Sequence, residues 1–483
     1  MSHDPGHEDA ADDLRGFDLA GTAGLAVGAT AWLGVACEPM PMTLLLCATP
    51  LYGHVSPVLA VGRRLRERGH RVLVLTGARF AEQVARSGLT LVPLPAAAEP
   101  APPAVRRPRS RVLAARGDIL SIFVDPLRAQ HAALQQALEE HEVDAVLSDT
   151  AFLGVLPLTS VAPTDRVPVL GLSVTPLSLA SVDCAPFGSG LAPGSSWFTR
   201  MRNGQANWLV HHGPFRRLHQ RLDAVLAEHG VPPGAINFFD QTAAPDLTFH
   251  LGLAELEYER REMPATIRFV GPVRPAAPSV VLPPWWHELE AGRPVVHVTQ
   301  GTLDNADLTK LVAPTVTALA GEDVLVVVST GGRAVEEVGR ALGGGALPGN
   351  VRVATFLPYH QLLPHLSVMV TNGGYGGVHE ALRHGVPLVV GGDTEDKPEV
   401  AARVAWAGVG RNLRTGRPTP RRVGRAVRAV LAEDRYRAAA RTLGQRIAEL
   451  GDPADAVGEV VETLGGRSAP AGSDVDLGAA DVG

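Results

Sequence analysis

With 483 residues, 45% of them apolar, the chain has enough hydrophobic material for two ordinary domains with separate cores, which excludes a disordered polypeptide. Its formal net charge of −6 excludes the basic stripe expected of a nucleic-acid binder. Cys37, Cys47 and Cys184 are widely spaced and form no CxxC pair, so neither a disulfide framework nor a zinc knuckle is implied, and a reducing cytoplasm fits.

Residues 1–41 lack the regular alternation of elements that marks the rest of the chain. Leu19 to Cys37 is free of charge, yet it is built from Ala, Gly and Thr and comes after Asp12, Asp13, Arg15 and Asp18, where a signal peptide would open with positive charge. The expectation is an extension dispensable to the fold, with no stable membrane span. From Met42 the pattern becomes regular: TLLLCAT, a Pro/Gly turn, an amphipathic stretch ending at Gly69, then RVLVLT. That order reads as strand, helix, strand, and the crossover length suits a parallel unit in a doubly wound sheet. Further buried strands are expected at Leu89–Leu94, Ala145–Leu147, Val167–Leu170 and Asp246–His250, completing one α/β domain over residues 42–270. Pro95–Asp118 and Pro176–Asn207, rich in Pro, Arg, Gly and Ser, read as long loops.

Residues 271–284 (GPVRPAAPSVVLPP) are proline-rich and read as an interdomain linker. Beyond it, PVVHVT, DVLVVVS, VRVATF, SVMVTN and PLVVG alternate with helical segments, so a second α/β domain is expected over residues 285–466. Residues 467–483 lack any apolar period and read as a disordered tail.

The richest signal is VTNGGYGGVHEALRHGVPLVV, residues 370–390: a strand, a glycine cluster, an amphipathic helix and another strand. Gly373, Gly374, Gly376 and Gly377 strip side chains from the point where the chain enters the helix, so unpaired backbone N–H groups can approach an anion. The helix N-terminus favours negative charge there, and a pyrophosphate fits, against the plainer reading of a tight turn. The following strand ends in Gly391, Gly392, Asp393, Thr394, Glu395, Asp396 and Lys397, at the carboxyl edge where open α/β sheets bind ligands. Asp396 is a candidate clamp for sugar hydroxyls or, more plainly, a helix cap. In the first half, His54 lies between a strand and its helix and Asp149 follows the strand AVLS. Such a pair can act as base and orienting carboxylate, although either residue alone is equally at home in a structural role.

These residues together resemble the family 1 glycosyltransferases, and within them the bacterial macrolide-glycosyltransferase-like and UDP-glycosyltransferase group. The resemblance covers roughly Met42 to Leu464. Family members carry a W/F-x-P-Q-like segment, then H-G-G-x-x-S/T-x-x-E, G-V-P and D-Q; the matching stretches here are FLPYHQLLPH, NGGYGGVHE, GVP and DK. The resemblance implies a GT-B fold, two Rossmann-like domains facing across a cleft, with acceptor on the first and nucleotide sugar on the second. Carried over by position, Phe356 stacks on the base, Glu380 binds the ribose, and Asn372 with the following glycines holds the pyrophosphate. Asp396 contacts the sugar, Gly301 and Thr302 form a further phosphate loop, Ser329 and Thr330 lie near the base, and His54 with Asp149 is the catalytic pair. Two departures stand out: Asn372 replaces the phosphate-binding histidine, and Lys397 replaces the final glutamine. Lys310 and Lys397 are the only lysines in the chain, which makes the second departure informative, against the plainer reading of a surface lysine paired with Glu395 or Glu399. His297, His379 and His384 match nothing catalytic and read as ordinary core or surface residues.

The activity so implied is inverting, metal-independent transfer of a sugar from a UDP- or dTDP-sugar to a hydroxyl of a small, hydrophobic natural product, as in antibiotic biosynthesis. No cofactor beyond that co-substrate is expected. The alternatives are a GT-B nucleotide-sugar epimerase and a non-catalytic sugar-nucleotide-binding homologue.

Overall fold

The computed structural model describes residues 40–100, 110–274, 281–302 and 304–467. The expected extension and tail, apart from their innermost residues, lie outside the described residues, as does the middle of the proline-rich segment.

Thirteen strands form two separate, wholly parallel sheets among the described residues. The first contains β1 (Thr43–Cys47), β2 (Arg71–Gly77), β3 (Thr90–Leu94), β4 (Ala145–Asp149), β5 (Val169–Ser173), β6 (Leu247–His250) and β7 (Ile267–Phe269), in the order β3-β2-β1-β4-β5-β6-β7. The second contains β8 (Val295–Thr299), β9 (Leu325–Ser329), β10 (Val351–Ala354), β11 (Val368–Thr371), β12 (Leu388–Val390) and β13 (Gly410–Asn412), in the order β10-β9-β8-β11-β12-β13. Helices cover both faces, which is why runs such as TLLLC and LVVVS are apolar without alternation and almost wholly buried.

In each sheet the strand order reverses beside its first strand, between β1 and β4 and again between β8 and β11. A crevice opens at such a point because the two flanking connections leave in opposite directions. Register fixes what meets there: Cys47 pairs with Ser148, so the chain after β1 emerges beside Asp149, and Thr299 pairs with Thr371, so Gly301 emerges beside Asn372 and Gly373.

Three expectations are corrected. Helices occupy Arg111–Ile119 and Trp197–His212, each beginning inside a stretch read as a loop and running past its end. The second begins where the Ser196 hydroxyl accepts a hydrogen bond from Thr199 N, but it exposes Trp197, Phe198, Met201, Trp208 and Leu209, so its apolar stripe gives no core signal. The last helix, Pro453–Arg467, belongs to the second half by sequence order but to the first by packing. Ala454, Val457 and Val461 enter the core beneath β1, and Arg68 forks onto Glu462 at 2.8 and 2.9 Å. Full burial of a valine contributes about 1.5–3 kcal/mol, so the apolar contact outweighs the half-exposed ion pairs as the reason for the return. Finally, β7 and β13 add strands that no apolar run announces; each is only three residues long.

Candidate functional site

His54 lies in the first turn of the helix Tyr52–Glu67, directly after β1, and Asp149 is the last residue of β4. The two meet across the first crevice, with His54 Nδ1 2.9 Å from Asp149 Oδ2. The aspartate is fully buried and held from two sides, accepting from Ala151 N at 3.1 Å and from Thr49 N at 3.3 Å. It therefore caps its own turn and also fixes the loop that delivers the histidine. Burial acts to lower the His54 pKa, but the Asp149 charge and, beyond it, Asp396 and Glu395 prevail and hold it above its ordinary value. Those last two carboxylates belong to the second half of the chain, so the carboxyl edges of the two sheets face one another. With Nδ1 taken by Asp149, Nε2 is the nitrogen left for a substrate hydroxyl.

Aromatic rings stand beside this pair. Phe123, in a stretch of π-helix at Leu120–Val124, lies 6.3 Å from the His54 ring, and Phe238 lies 6.3 Å beyond it. Phe238 is itself a core residue, so only the partly buried Phe123 borders the pair, and nothing local in the sequence distinguishes it from a core phenylalanine.

The second crevice is built mainly from backbone. Gly301 (φ 67°) follows β8, with Thr302 exposed beside it. Gly373 (φ 94°) follows β11, where a Cβ would come within 2.7 Å of Val390 Cγ1. Gly374 is the N-cap of the helix Tyr375–Arg383, and Gly376 and Gly377 lie in its first turn; a Cβ at any of these three would meet nothing within 4 Å. The first glycine is thus demanded by the fold, whereas the other three leave open the approach to unpaired N–H groups at a helix N-terminus.

Asn372 Nδ2 donates one hydrogen bond to Gln300 O at 2.6 Å, which ties the two glycine loops together and engages one of the two N–H groups of that amide. A second clamp carries no sequence signal: Asn305 Nδ2 donates to the carbonyls of Gly301, Thr330 and Gly331 at 3.0, 3.0 and 2.8 Å. Ser329 and Thr330 are buried, with their hydroxyls turned inward, to His297 Nε2 at 3.0 Å and to Arg333 O respectively. Phe356, by contrast, is 53% exposed and faces Gly332, an apolar platform beside that loop. Glu380 sits in the second turn of the glycine-capped helix, 3.1 Å from Arg383 Nε; burial pushes its carboxyl up in spite of Arg383 and Arg274.

Asp396 stands at the N-cap of the helix Lys397–Trp406, yet its side chain makes no capping hydrogen bond. Burial, helped by Glu395, raises its pKa against the pull of Lys397 and His54. Lys397 pairs with Glu395, but as the first residue of that helix it is buried, its side chain only 6% exposed, and it does not lie on the surface. Glu395 itself adopts φ 55°, a conformation few side chains take up. His297 and His379 are buried, and burial lowers their pKa values to about 3 and about 4. Among the described residues no three His, Cys, Asp or Glu side chains cluster as metal ligands, and no helix is long and apolar enough to cross a membrane.

Comparison with known proteins agrees with this geometry. The family description "Glycosyltransferase family 28 N-terminal domain" matches residues 52–153, and "Erythromycin biosynthesis protein CIII-like, C-terminal domain" matches residues 315–463. The chain is 40% identical over 435 residues to 4'-demethylrebeccamycin synthase of Lentzea aerocolonigenes, covering 88% of this chain and 100% of the relative. It is 34% identical over 423 residues to UDP-glycosyltransferase 2 of Phaeomoniella chlamydospora, covering 82% and 90%. Among solved structures, the glycotransferase of kitacinnamycin superposes with a TM-score of 0.68 at 24% identity, over 88% of this chain and 100% of that one. The fold is shared with VinC, solved in complex with dTDP, at a TM-score of 0.59 and 22% identity, over 88% and 100%.

Proposed function

We propose that this chain, which belongs to the family 1 glycosyltransferases of GT-B fold, transfers a sugar from a UDP- or dTDP-sugar to a hydroxyl of a hydrophobic natural product, with inversion and without a metal ion. The observation that carries the reading is the His54–Asp149 pair at 2.9 Å on the edge of the first sheet, with Asp396 of the opposite half near enough for its charge to act on His54. A base on the acceptor side and a carboxylate on the donor side of one cleft are what glycosyl transfer needs, whereas an epimerase has no use for an acceptor base.

In this scheme the acceptor hydroxyl gives its proton to His54 Nε2 as its oxygen bonds to the anomeric carbon. Asp149 orients the imidazole and stabilises the imidazolium that forms. The bond from the anomeric carbon to the diphosphate breaks on the opposite face, and its electron pair leaves with the phosphate. The developing negative charge falls at the N-terminus of the helix Tyr375–Arg383, where backbone N–H groups and the helix dipole meet it without a cation. Phe356 offers the face on which a base stacks, Asp396 accepts from sugar hydroxyls, and Phe123, backed by the buried Phe238, supports an apolar aglycone.

The test is a nucleotide-release screen of UDP- and dTDP-sugars against phenolic and polyketide aglycones, with the anomeric configuration of the product read by NMR. Release that depends on an aglycone, giving an inverted product, supports the reading. Donor turnover to an epimerised sugar without any acceptor contradicts it.

A further inference from the structure

A buried polar cluster outside the reacting groups joins the two halves. Glu399 lies in the first turn of the helix whose N-cap is Asp396, and it is 4% exposed. Its Oε1 accepts from Gly188 N and from Gly190 N, both at 2.8 Å, and its Oε2 accepts from Arg403 Nη1 at 2.9 Å. Arg403 in turn forks onto Glu257 of the first half, Nε to Oε1 at 3.0 Å and Nη2 to Oε2 at 2.9 Å, and lies 4.2 Å over the Tyr258 ring. Gly188 and Gly190 adopt φ 88° and 62°, so that two N–H groups converge on one carboxylate oxygen. A Cβ at Gly190 would press to 3.1 Å from Pro398 O.

Stability alone is a weak reason for such a cluster, since buried ion pairs often gain little over apolar packing of the same shape. Its placement is more telling. The Gly188 loop leaves the carboxyl end of β5, on the edge that carries His54 and Asp149. Glu399 hangs from the helix that begins at the donor-side carboxylate. The diphosphate cradle touches the same helix: a Cβ at Gly373 would lie 3.6 Å from Lys397 O, and one at Gly392 would lie 2.9 Å from Lys397 Cβ. One rigid turn therefore contacts the donor cradle on one side and an acceptor-side loop on the other.

We propose that Glu399 is a positioning residue that couples occupation of the nucleotide site to the order of the acceptor-side loop at residues 186–190. The inference rests on the reading of the second half as the nucleotide-sugar half. Glu399 touches no reacting atom; it acts through the two glycine amides.

The experiment uses the full chain, with UDP and dTDP as probes, and begins with calorimetry to identify the nucleotide that binds. Hydrogen exchange of a peptide spanning residues 183–192 is then followed with and without it. In the wild type the bound nucleotide slows exchange there by about 5-fold or more, the lower range of an allosteric coupling. Glu399→Gln, which loses the charge that faces Arg403, and Gly190→Ala, which disturbs the clamp from the loop side, each abolish that response while the variant still binds the nucleotide, which shows that the second half remains folded. Both raise the acceptor KM more than the donor KM, a split that a merely structural role would not give. A nucleotide that binds the wild type without altering the loop overturns the proposal, as does a response retained in both variants. Failure of both nucleotides to bind overturns the reading of the site itself, and this inference with it.

Discussion

At the β1/β4 crevice the chain places charged side chains, a histidine and a fully buried aspartate 2.9 Å apart. At the β8/β11 crevice it removes side chains, and what remains is a helix N-terminus with three glycines whose missing Cβ atoms face open space. The two sheets have the same strand order through their first six strands, so the difference owes nothing to topology. Under the proposed function, it arises from the chemistry at each edge. Taking a proton from an alcohol calls for one group with a tuned pKa, and that requires a partner charge in a low-dielectric wall. Holding a diphosphate calls for many fixed dipoles at close range, and any side chain would stand in the way. The first crevice should therefore fail through loss of a charge and the second through gain of an atom.

Substitutions sharpen that contrast. The largest effect is expected for His54→Ala, which should lower kcat by about 10²- to 10⁴-fold, read as nucleotide release under saturating substrates. Asp149→Asn should shift the pH profile as well as the rate. Removing the carboxylate leaves burial, which depresses the His54 pKa, opposed only by Asp396 and Glu395. The base is active when neutral, so activity falls as the pH drops through its pKa; the acid limb of kcat/KM should lie above the ordinary histidine value in the wild type and move down in the variant. An unmoved limb would detach Asp149 from the base. Gly376→Ala should leave the melting temperature near wild type, because the added methyl meets no protein atom, yet weaken UDP or dTDP binding about 10-fold by crowding the phosphate. Unchanged affinity would place the diphosphate elsewhere. Lys397→Gln should alter the kcat/KM ratio of two donors sharing one nucleotide by about 3- to 10-fold, since an ammonium only donates where an amide also accepts. Equal ratios across several sugars would leave Lys397 as the partner of Glu395 and nothing more. The smallest effect is none: EDTA should not change the rate, and a rate restored only by magnesium or manganese would redirect attention to Asp393, Glu395 and Asp396.

What the sequence disclosed and what it concealed divide along the range of the interactions. Strands with two buried faces are written as continuous apolar runs, so β1, β2, β8, β9, β11 and β12 were legible, as were the glycine cluster and the residues at the carboxyl end of each strand. Contacts between distant positions were not. Asn305 looks like an ordinary loop residue until its amide is seen holding the carbonyls of Gly301, Thr330 and Gly331. Phe123 and Phe238 come together only through the packing around the π-helical turn. The Arg403–Glu257 pair spans 146 positions, and no local pattern marks either partner. Asn372 shows the same limit from the other side: the family pattern located the residue, but only the structure shows that one N–H of its amide holds Gln300 O at 2.6 Å. The helix Trp197–His212 was hidden for a different reason, since its apolar stripe faces outward.

The division of labour between the two crevices is tested most directly by calorimetric titration of UDP and dTDP into His54→Ala, run beside the turnover assay on the same preparation. Because His54 lies on the first sheet and the glycine cradle on the second, the variant should bind the nucleotide within about twofold of wild type while its turnover collapses. Nucleotide binding lost together with turnover, or turnover retained, would contradict the account.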